Sequence, residues 1–227
     1  MSAPTAPVCR SVRGVTDPAQ PTARQRNPRG QGERLRGEIV TAAALLLDET
    51  GSSGGVTLRA VARRAGISAP SIYRHFPDAQ AILLAIAQDA FGQLGRRLTE
   101  TAAAGPDDPT ARLVLVARAY LAFAEEHPSQ YRVMFGGLWT ADLTRGDAIT
   151  QADVTALGQE TIEVLTSCLV DCITAGTSTS TDPHTDVIAL WLGLHGLAHQ
   201  RAVIPHFPWP QDIERRTIAL LAGLPHV

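Results

Sequence analysis

Long apolar runs are missing from this sequence of 227 residues. No stretch approaches the ~20 residues that a membrane-spanning helix needs, and the opening segment MSAPTAPVCRSVRG lacks the apolar region of a secretory signal. Cysteine is scarce too. The three cysteines are odd in number and do not have the spacing of a disulfide framework. We therefore expect a soluble cytoplasmic protein that does not enter a membrane.

Catalytic motifs are also absent. The chain has no nucleophile motif, no phosphate-binding loop and no HExxH pattern. Strand-like alternation is scarce, no internal repeat is visible, and apolar residues recur at helical spacing. At 44% hydrophobic residues, the chain has enough apolar surface for a real core. The sequence therefore predicts an all-α protein that is not an enzyme and needs no cofactor or metal.

Lysine is missing altogether, so all 20 basic side chains are arginine. They are unevenly placed: residues 1–76 contain 11 arginines and five acids, a formal charge of +6, and the remainder has a formal charge of −8. Arginine presents a fork of donors that suits phosphate groups and guanine edges. A basic first third on an acidic body is expected if only that third touches nucleic acid.

The stretch VTLRAVARRAGISAPSIYRHFP, residues 56–77, predicts two short helices joined by a tight turn. Thr57 is a good N-cap for the first, and Ser68 stands at the same place before the second. Gly66 falls where the first helix must end in a left-handed residue. Pro70 is tolerated because it lies in the first turn of the second helix. This spacing is typical of a helix-turn-helix that lays its second helix in the major groove of DNA, although a helical hairpin in another all-α protein fits it as well.

Three strings extend the pattern: IVTAAALLLDETG, VTLRAVARRAGIS and SIYRHFPDAQAILLAI. With them, residues 34–86 resemble the DNA-binding domain of the tetracycline-repressor (TetR) family. The strings YRVMFGG and WLGLHG, at residues 131–137 and 191–196, further resemble the WHG subgroup of that family in its C-terminal domain. The resemblance implies an N-terminal three-helix DNA-binding domain followed by a helical bundle for ligand binding and dimerisation.

The predicted DNA contacts lie on the helix-turn-helix and at the entry of the first helix. Ser68 is placed to contact phosphate, Ala69 and Pro70 suit thymine methyl groups, and Tyr73 and His75 match family positions that hold the DNA backbone. For Tyr73 the alternative is packing against the first helix, and for Arg63 or Arg64 it is an ordinary solvated face. The full set is Arg34, Arg36, Thr57, Leu58, Arg59, Arg63, Ser68, Ala69, Pro70, Ser71, Tyr73, Arg74 and His75.

The sequence departs from the family at one place. Family members commonly carry a lysine directly after the proline that ends the motif, whereas this chain has Asp78. One phosphate contact is then missing, which would lower the salt dependence of DNA binding by about one unit of slope. Asp78 is instead suited to cap a long fourth helix that reaches roughly to Thr101.

Three regions follow from the pattern. Residues 1–32 are rich in proline, glycine and arginine and are expected to be disordered, either as a plain tail or as an arm that adds DNA contacts. Residues 33–77 form the DNA-binding domain. Residues 78–227 form the ligand-binding and dimerisation domain, with helices expected near residues 110–126, from 128, at 151–175, 185–203 and 210–222. The segment 136–150 is expected to be irregular.

A small, largely apolar effector is the expected ligand of the body, although aromatic residues at helical spacing are more often plain core. The candidate lining residues are Phe91, Leu94, Tyr120, Phe123, Met134, Phe135, Trp139, Cys168, Trp191 and His195. The resemblance implies that the last two helices pair two subunits into a homodimer. The chain is then expected to be a transcriptional regulator, most simply a repressor that releases a palindromic double-stranded DNA operator when the effector binds.

A rival interpretation comes from two helical spacings. Cys168 and Cys172 are four residues apart, as are His195 and His199, so each pair shares a helix face. Opposed faces would make a Cys₂His₂ zinc site, and reactive thiols would make a redox sensor. The contrasting expectation is therefore a metal- or redox-responsive regulator that acts through Cys168 and Cys172.

Overall fold

The computed structural model describes residues 32–135, 150, 152 and 156–225. This part of the chain consists of helices and the loops that join them and contains no strand, so the all-α prediction is confirmed. No helix in these ranges is long and apolar enough to cross a membrane. The expected N-terminal arm up to residue 31 and the expected irregular segment 136–149 lie outside the described residues.

The first three helices form a small domain, called the head below. They are α1 (Gly32–Thr50), α2 (Leu58–Arg64) and α3 (Ala69–Ile72), with a short 3₁₀ turn at Ser53–Gly55. The head has its own apolar core, whose members include Ile39, Leu47, Val61, Ile72 and Phe76.

Helix α4 (Ala79–Ala103) joins the head to the rest of the molecule. Its 25 residues make it about 38 Å long. Ile82 and Ile86, near its beginning, lie in the core of the head, whereas Leu94 and Leu98, near its end, lie in a second core. A rigid rod shared by two cores couples their positions.

The second core belongs to five further helices, called the body: α5 (Pro109–Glu126), α6 (Pro128–Phe135), α7 (Gln159–Thr174), α8 (Pro183–Val203) and α9 (Ile213–Leu221). Helix α8 is the most apolar of these, and it is covered on several sides by α5, α7 and α9. A helix without a wide polar face requires such cover. At Gly193, an added Cβ would collide with Leu221 of α9, so the glycine permits close packing of the last two helices.

Two helix boundaries differ by more than two residues from the expected ones. Helix α7 starts at Gln159 rather than near residue 151, because Gly158 has a φ of +78°, a left-handed conformation that cannot lie inside a right-handed helix. Helix α9 starts at Ile213 rather than at Pro210, since Pro210 to Asp212 form a turn in which the carbonyl of Pro210 accepts from the Ile213 amide at 3.1 Å.

Helix α6 lies between the two cores. Its Val133 is buried in the core of the head, and its Tyr131, two residues earlier, is buried in the core of the body. Residues two apart on a helix point to different sides. Helix α6 therefore contacts head and body at once and provides a second connection beside α4.

Candidate DNA-binding surface and candidate effector site

The first half of the helix-turn-helix forms as its sequence predicts. The Thr57 hydroxyl accepts a hydrogen bond from the Ala60 amide at 3.2 Å and caps α2. Gly66, two residues after the last residue of α2, has a φ of +65°, and the Ile67 amide then donates to the Ala62 carbonyl at 3.0 Å. This glycine-based C-terminal motif satisfies carbonyls that the helix leaves free and sets the angle to the next helix.

The expected side-chain cap at Ser68 is wrong. Ser68 has the extended backbone of an N-cap, but its side chain makes no capping bond. Its hydroxyl lies 3.0 Å from the Ser71 hydroxyl instead, and Ser71 also accepts from Arg74 at 3.3 Å. The Ser68 hydroxyl therefore interacts with the Ser71 hydroxyl in place of a backbone amide of α3. The three polar groups thus form one connected row along α3 and the turn that follows it.

The surface around α3 is exposed and polar. Tyr73 is 56% exposed, so it does not pack against α1. Ser71 and His75 are half-buried, and Leu58 at the start of α2 is half-buried against the core of the head, which leaves less of Leu58 available for DNA than expected. The other predicted contacts of this region are exposed: Thr57, Arg59, Arg63, Ser68, Ala69, Pro70 and Arg74.

The arginines of the head divide by their partners. Arg64 is engaged by Glu49, with both carboxylate oxygens within 2.8 Å, and Arg34 lies 3.4 Å from Glu38. Within the described residues, Arg59 and Arg63 have no acidic partner. Their guanidinium groups carry uncompensated positive charge beside the exposed face of α3, as phosphate binding requires.

Arg36 has a different environment. Its guanidinium carbon lies 5.0 Å from the centre of the Phe76 ring, which is a cation–π distance. It also lines a cleft of about 410 Å³ between α1 and α4, called the α1–α4 cleft below. The structure therefore places Arg36 beside α4 and against Phe76.

Asp78 caps helix α4. Its carboxylate accepts from the Ala81 amide at 2.8 Å, as expected. A carboxylate also interacts favourably with the positive end of the helix dipole. The residue that replaces the family's lysine therefore has a structural role in fixing the start of α4.

Five aromatic rings meet where α4, α6 and α8 approach one another. Phe135 is at their centre: its ring centre lies 5.2 Å from that of Phe91, 5.0 Å from Tyr131, 5.9 Å from Trp191 and 4.8 Å from His195. We call Phe91, Tyr131, Phe135, Trp191 and His195 the aromatic cluster. Such ring pairs stabilise contacts beyond their buried area.

A chain of hydrogen bonds runs through this cluster. The hydroxyl groups of Tyr120 and Tyr131 lie 3.0 Å apart, and the Tyr131 hydroxyl lies 2.8 Å from Nδ1 of His195. Burial raises the pKa of Tyr120 to about 12 and raises that of Tyr131 further. Burial, helped by nearby His199, lowers the pKa of His195. All three groups are therefore neutral at pH 7, and the chain joins α5, α6 and α8.

Sequence reasoning missed Tyr131. The only available signal was its place in the string YRVMF, four residues before Phe135 and hence on the same helix face. Four expected lining residues lie elsewhere: Leu94 and Phe123 are fully buried in the core of the body, Met134 is half-buried against it, and Cys168 lies in a different cleft. Trp139 lies outside the described residues.

An open cleft of about 370 Å³ adjoins the aromatic cluster through Phe91, and we call it the Phe91 cleft. Its lining is mostly apolar, with one amide and one carboxylate, and consists of Gln88, Phe91, Gly92, Ala152, Ala156, Leu157, Gly158 and Glu160. Few polar groups in an apolar concavity are typical of a small-molecule site.

The cysteine pair and the histidine pair do not have the environment of a metal or redox site. Cys168 and Cys172 are both buried, and burial raises the pKa of Cys168 to about 11 and that of Cys172 as well, which disfavours the reactive thiolate. His195 uses Nδ1 toward Tyr131. In the ranges that the structure describes, no group of three or more His, Cys, Asp or Glu side chains is arranged to hold a metal.

Exposed apolar side chains concentrate on the last two helices and their linker. The most exposed of these is Leu220, at 77%. Five of the nine large apolar residues that are exposed in the described part of the chain fall between residues 192 and 220: Leu192, Val203, Ile204, Phe207 and Leu220. A concentration of exposed apolar side chains in one region is typical of a protein–protein interface.

Known proteins match both halves of the chain. Residues 39–86 match the family described as bacterial regulatory proteins, tetR family, and residues 113–224 match the tetracyclin repressor-like C-terminal domain. Among curated proteins, the nucleoid occlusion factor SlmA of Aliivibrio fischeri is 30% identical over 105 residues, covering 44% of this chain and 51% of SlmA. The chain thus spans about half the length of the curated relatives it matches.

Solved structures match over most of the chain. A protein of unknown function from Rhodococcus sp. RHA1 has a TM-score of 0.69 at 24% identity, covering 85% of this chain and 96% of its own. The TetR-family regulator PfmR of Thermus thermophilus has a TM-score of 0.60 at 21% identity, covering 83% and 99%. At these identities the likeness shows the fold. The two family matches span the helix-turn-helix and most of the body, and the chain belongs to the TetR family of DNA-binding transcriptional regulators.

Proposed function

We propose that this regulator is a homodimeric repressor that binds a palindromic operator and releases it when a small, largely apolar molecule binds the body. The observation that carries the proposal is the combination of an exposed, polar α3 surface on the head with an aromatic cluster in the body, joined by α4 and α6.

The DNA contacts follow from the exposed residues of the helix-turn-helix. Ser68, Tyr73 and Arg74 are the polar groups around α3, and Arg59 and Arg63 supply positive charge from α2. Ala69 and Pro70 at the start of α3 present only apolar surface, which suits thymine methyl groups. Arg34 and His75 are positioned at the margins, where backbone phosphates would lie.

The homodimer is supported by the apolar surface of α8 and α9. Leu192 and Val203 share one face of α8 with Gly196 and His199 between them, and Leu220 is the most exposed apolar side chain of the neighbouring α9. The same surface on a second copy covers these residues by twofold symmetry. The two heads then stand at a fixed separation, and half-sites must be about one helical turn of DNA (~34 Å) apart or a multiple of it.

The coupling route runs through the aromatic cluster. A ligand in the Phe91 cleft contacts Phe91, whose ring meets Phe135 of α6 edge-on. Helix α6 carries Tyr131 into the body and Val133 into the head. A ligand that prefers a shifted α6 changes the angle of the head and the separation of the two α3 helices. It weakens DNA binding by as much as its own affinity differs between the shifted and the DNA-binding conformations.

A mobility-shift assay on the DNA that flanks the gene tests operator binding. We expect the purified protein to shift this DNA, and we expect Tyr73→Ala and Arg63→Ala to lose the shift while the protein stays dimeric. Arg118→Ala is the matched control, since it removes one arginine from α5, where Arg118 pairs with Glu214. No shift at low salt, or an equal loss in Arg118→Ala, contradicts the proposal.

A further inference from the structure

The two clefts on either side of α4 are neighbours. The α1–α4 cleft and the Phe91 cleft are both lined by Gln88 and Gly92. The first has a volume of about 410 Å³ and the second about 370 Å³. They adjoin at the Gln88–Gly92 turn of α4, one on the side of the head and the other toward the start of α7, and we call the two adjoining clefts the groove.

Packing does not explain the glycine at this crossing. A Cβ added to Gly92 would meet only the tip of Arg96, at 3.4 Å, which is ordinary contact. At Gly95, by contrast, a Cβ would meet the carboxylate end of the exposed Glu160 side chain, so that side chain would have to move. Glycine is unfavourable inside a helix. What Gly92 provides is open space where a large side chain would divide the groove.

The two ends of the groove differ in charge. Arg36 and Arg96 line the α1–α4 end, and neither has an acidic partner within the described residues. Asp89 is the one carboxylate that lines that end, and it accepts a hydrogen bond from the side-chain amide of Gln93 at 2.8 Å. Glu160 stands at the other end among Phe91, Leu157 and two alanines. An anion is therefore attracted to the arginine end and repelled from the apolar end.

We propose that this groove binds an organic anion with an apolar body. The anionic group lies between Arg36 and Arg96, whose forked donors suit the oxygens of a carboxylate or a phosphate. The apolar body passes over Gly92 and ends against Phe91 and Leu157. Arg36 is already held beside α4 by its contact with Phe76, so little side-chain ordering remains for binding.

Such a ligand bridges the head and the body. Arg36 belongs to α1, whereas Leu157 precedes α7, so one molecule contacts both sides of the α4 rod and fixes the position of the head. Its effect on DNA rests on the function proposed above, whereas its binding to the protein does not.

Calorimetric titration of the full-length protein tests the binding step with four probes that each carry a ten-carbon chain, used below their micellar concentrations or, for decanol, below its solubility. Decanoate and decyl phosphate carry the anionic group, decanol carries none, and decyltrimethylammonium carries the opposite charge. We expect one or both anions to bind at least about tenfold more tightly than decanol and the cation. The stronger anion identifies the head group. Equal binding of decanol, tighter binding of the cation, or no binding of either anion overturns the proposal.

Variants locate the site. Arg96→Gln should weaken anion binding about tenfold, whereas Arg97→Gln is the matched control, because Arg97 is the next residue of the same helix and pairs with Glu126. Gly92→Leu should block the groove, whereas Gly92→Ala should bind nearly as the parent does. Circular dichroism verifies that each variant folds. An Arg96→Gln protein that binds like the parent, or a Gly92→Leu protein that does so, overturns the assignment.

The DNA readout separates this proposal from the previous one. An anion that binds but leaves operator affinity unchanged contradicts the bridging step, provided that the protein still shifts its operator. Loss of the operator shift in the absence of any probe contradicts the proposed function and leaves the titration result valid.

Discussion

The hydroxyl of Tyr131 lies 2.8 Å from Nδ1 of His195 and ties helix α6 to helix α8. The same hydroxyl is 3.0 Å from that of Tyr120, so one side chain links three helices of the body. Because α6 also packs Val133 into the head, the position of this hydrogen-bond chain bears on the position of the DNA-binding helices.

Tyr131→Phe removes the central hydroxyl of the chain without changing the ring. Tyr120 and His195 each lose a buried partner, which costs about 1–3 kcal/mol in the free energy of unfolding. Urea denaturation followed by circular dichroism measures the loss. Tyr73→Phe is the control, since Tyr73 is 56% exposed, and its hydroxyl should change stability by no more than about 0.5 kcal/mol. Equal effects of the two substitutions would mean that the chain does not stabilise the body.

The stability of the fold should fall in mildly acidic solution. Burial lowers the pKa of His195 in the folded protein, so the unfolded chain binds the proton more readily. The contribution of His195 to the free energy of unfolding is complete above its ordinary pKa of about 6.5. It is lost as the pH falls from there through the lowered pKa that His195 has in the folded protein. Urea denaturation between pH 7.5 and 5.5 should show this slope, and His195→Asn should flatten it. An unchanged slope in His195→Asn would assign the effect to other groups.

The two N-cap residues of the helix-turn-helix, Thr57 and Ser68, should contribute differently to the free energy of unfolding. Thr57→Ala removes the bond to the Ala60 amide and should cost about 1 kcal/mol in the free energy of unfolding. Ser68→Ala removes no side-chain cap and should cost less. Thermal unfolding of the two variants side by side makes the comparison, and a larger loss in Ser68→Ala would contradict the assigned roles.

Local sequence signals predicted local structure well. Thr57, Gly66 and Asp78 act as caps or turns through atoms within a few residues, so their roles follow from the sequence itself. The cap at Ser68 failed because Ser71, also local, offered its hydroxyl a competing partner. The start of α7 was predicted too early. The left-handed Gly158 separates α7 from the residues before it, but those residues are themselves compatible with a helix and carry no other sign of a break.

The aromatic cluster was predictable only in part. Phe91, Phe135, Trp191 and His195 were expected in one site because apolar and aromatic residues converge in helical bundles. The position of Cys168 in a separate cleft, and the role of Tyr131 as the centre of a hydrogen-bond chain, depend on which faces of α5, α6, α7 and α8 oppose one another. That relation arises from helix packing over long sequence separations and is not contained in the periodicity of any one helix.

The last prediction concerns the apolar surface of α8 and α9. Leu220→Glu places a charge on a side chain that is 77% exposed in the single chain, so the fold of the subunit should be unaffected. In a dimer formed through this surface the same charge is buried without a partner, which is costly, and the protein should become monomeric in sedimentation velocity and lose the operator shift. Leu115→Glu on α5 is the control, because Leu115 is also exposed, at 41%, but belongs to another helix. A Leu220→Glu protein that stays dimeric would exclude this surface, whereas a Leu115→Glu protein that dissociates would assign the interface to α5.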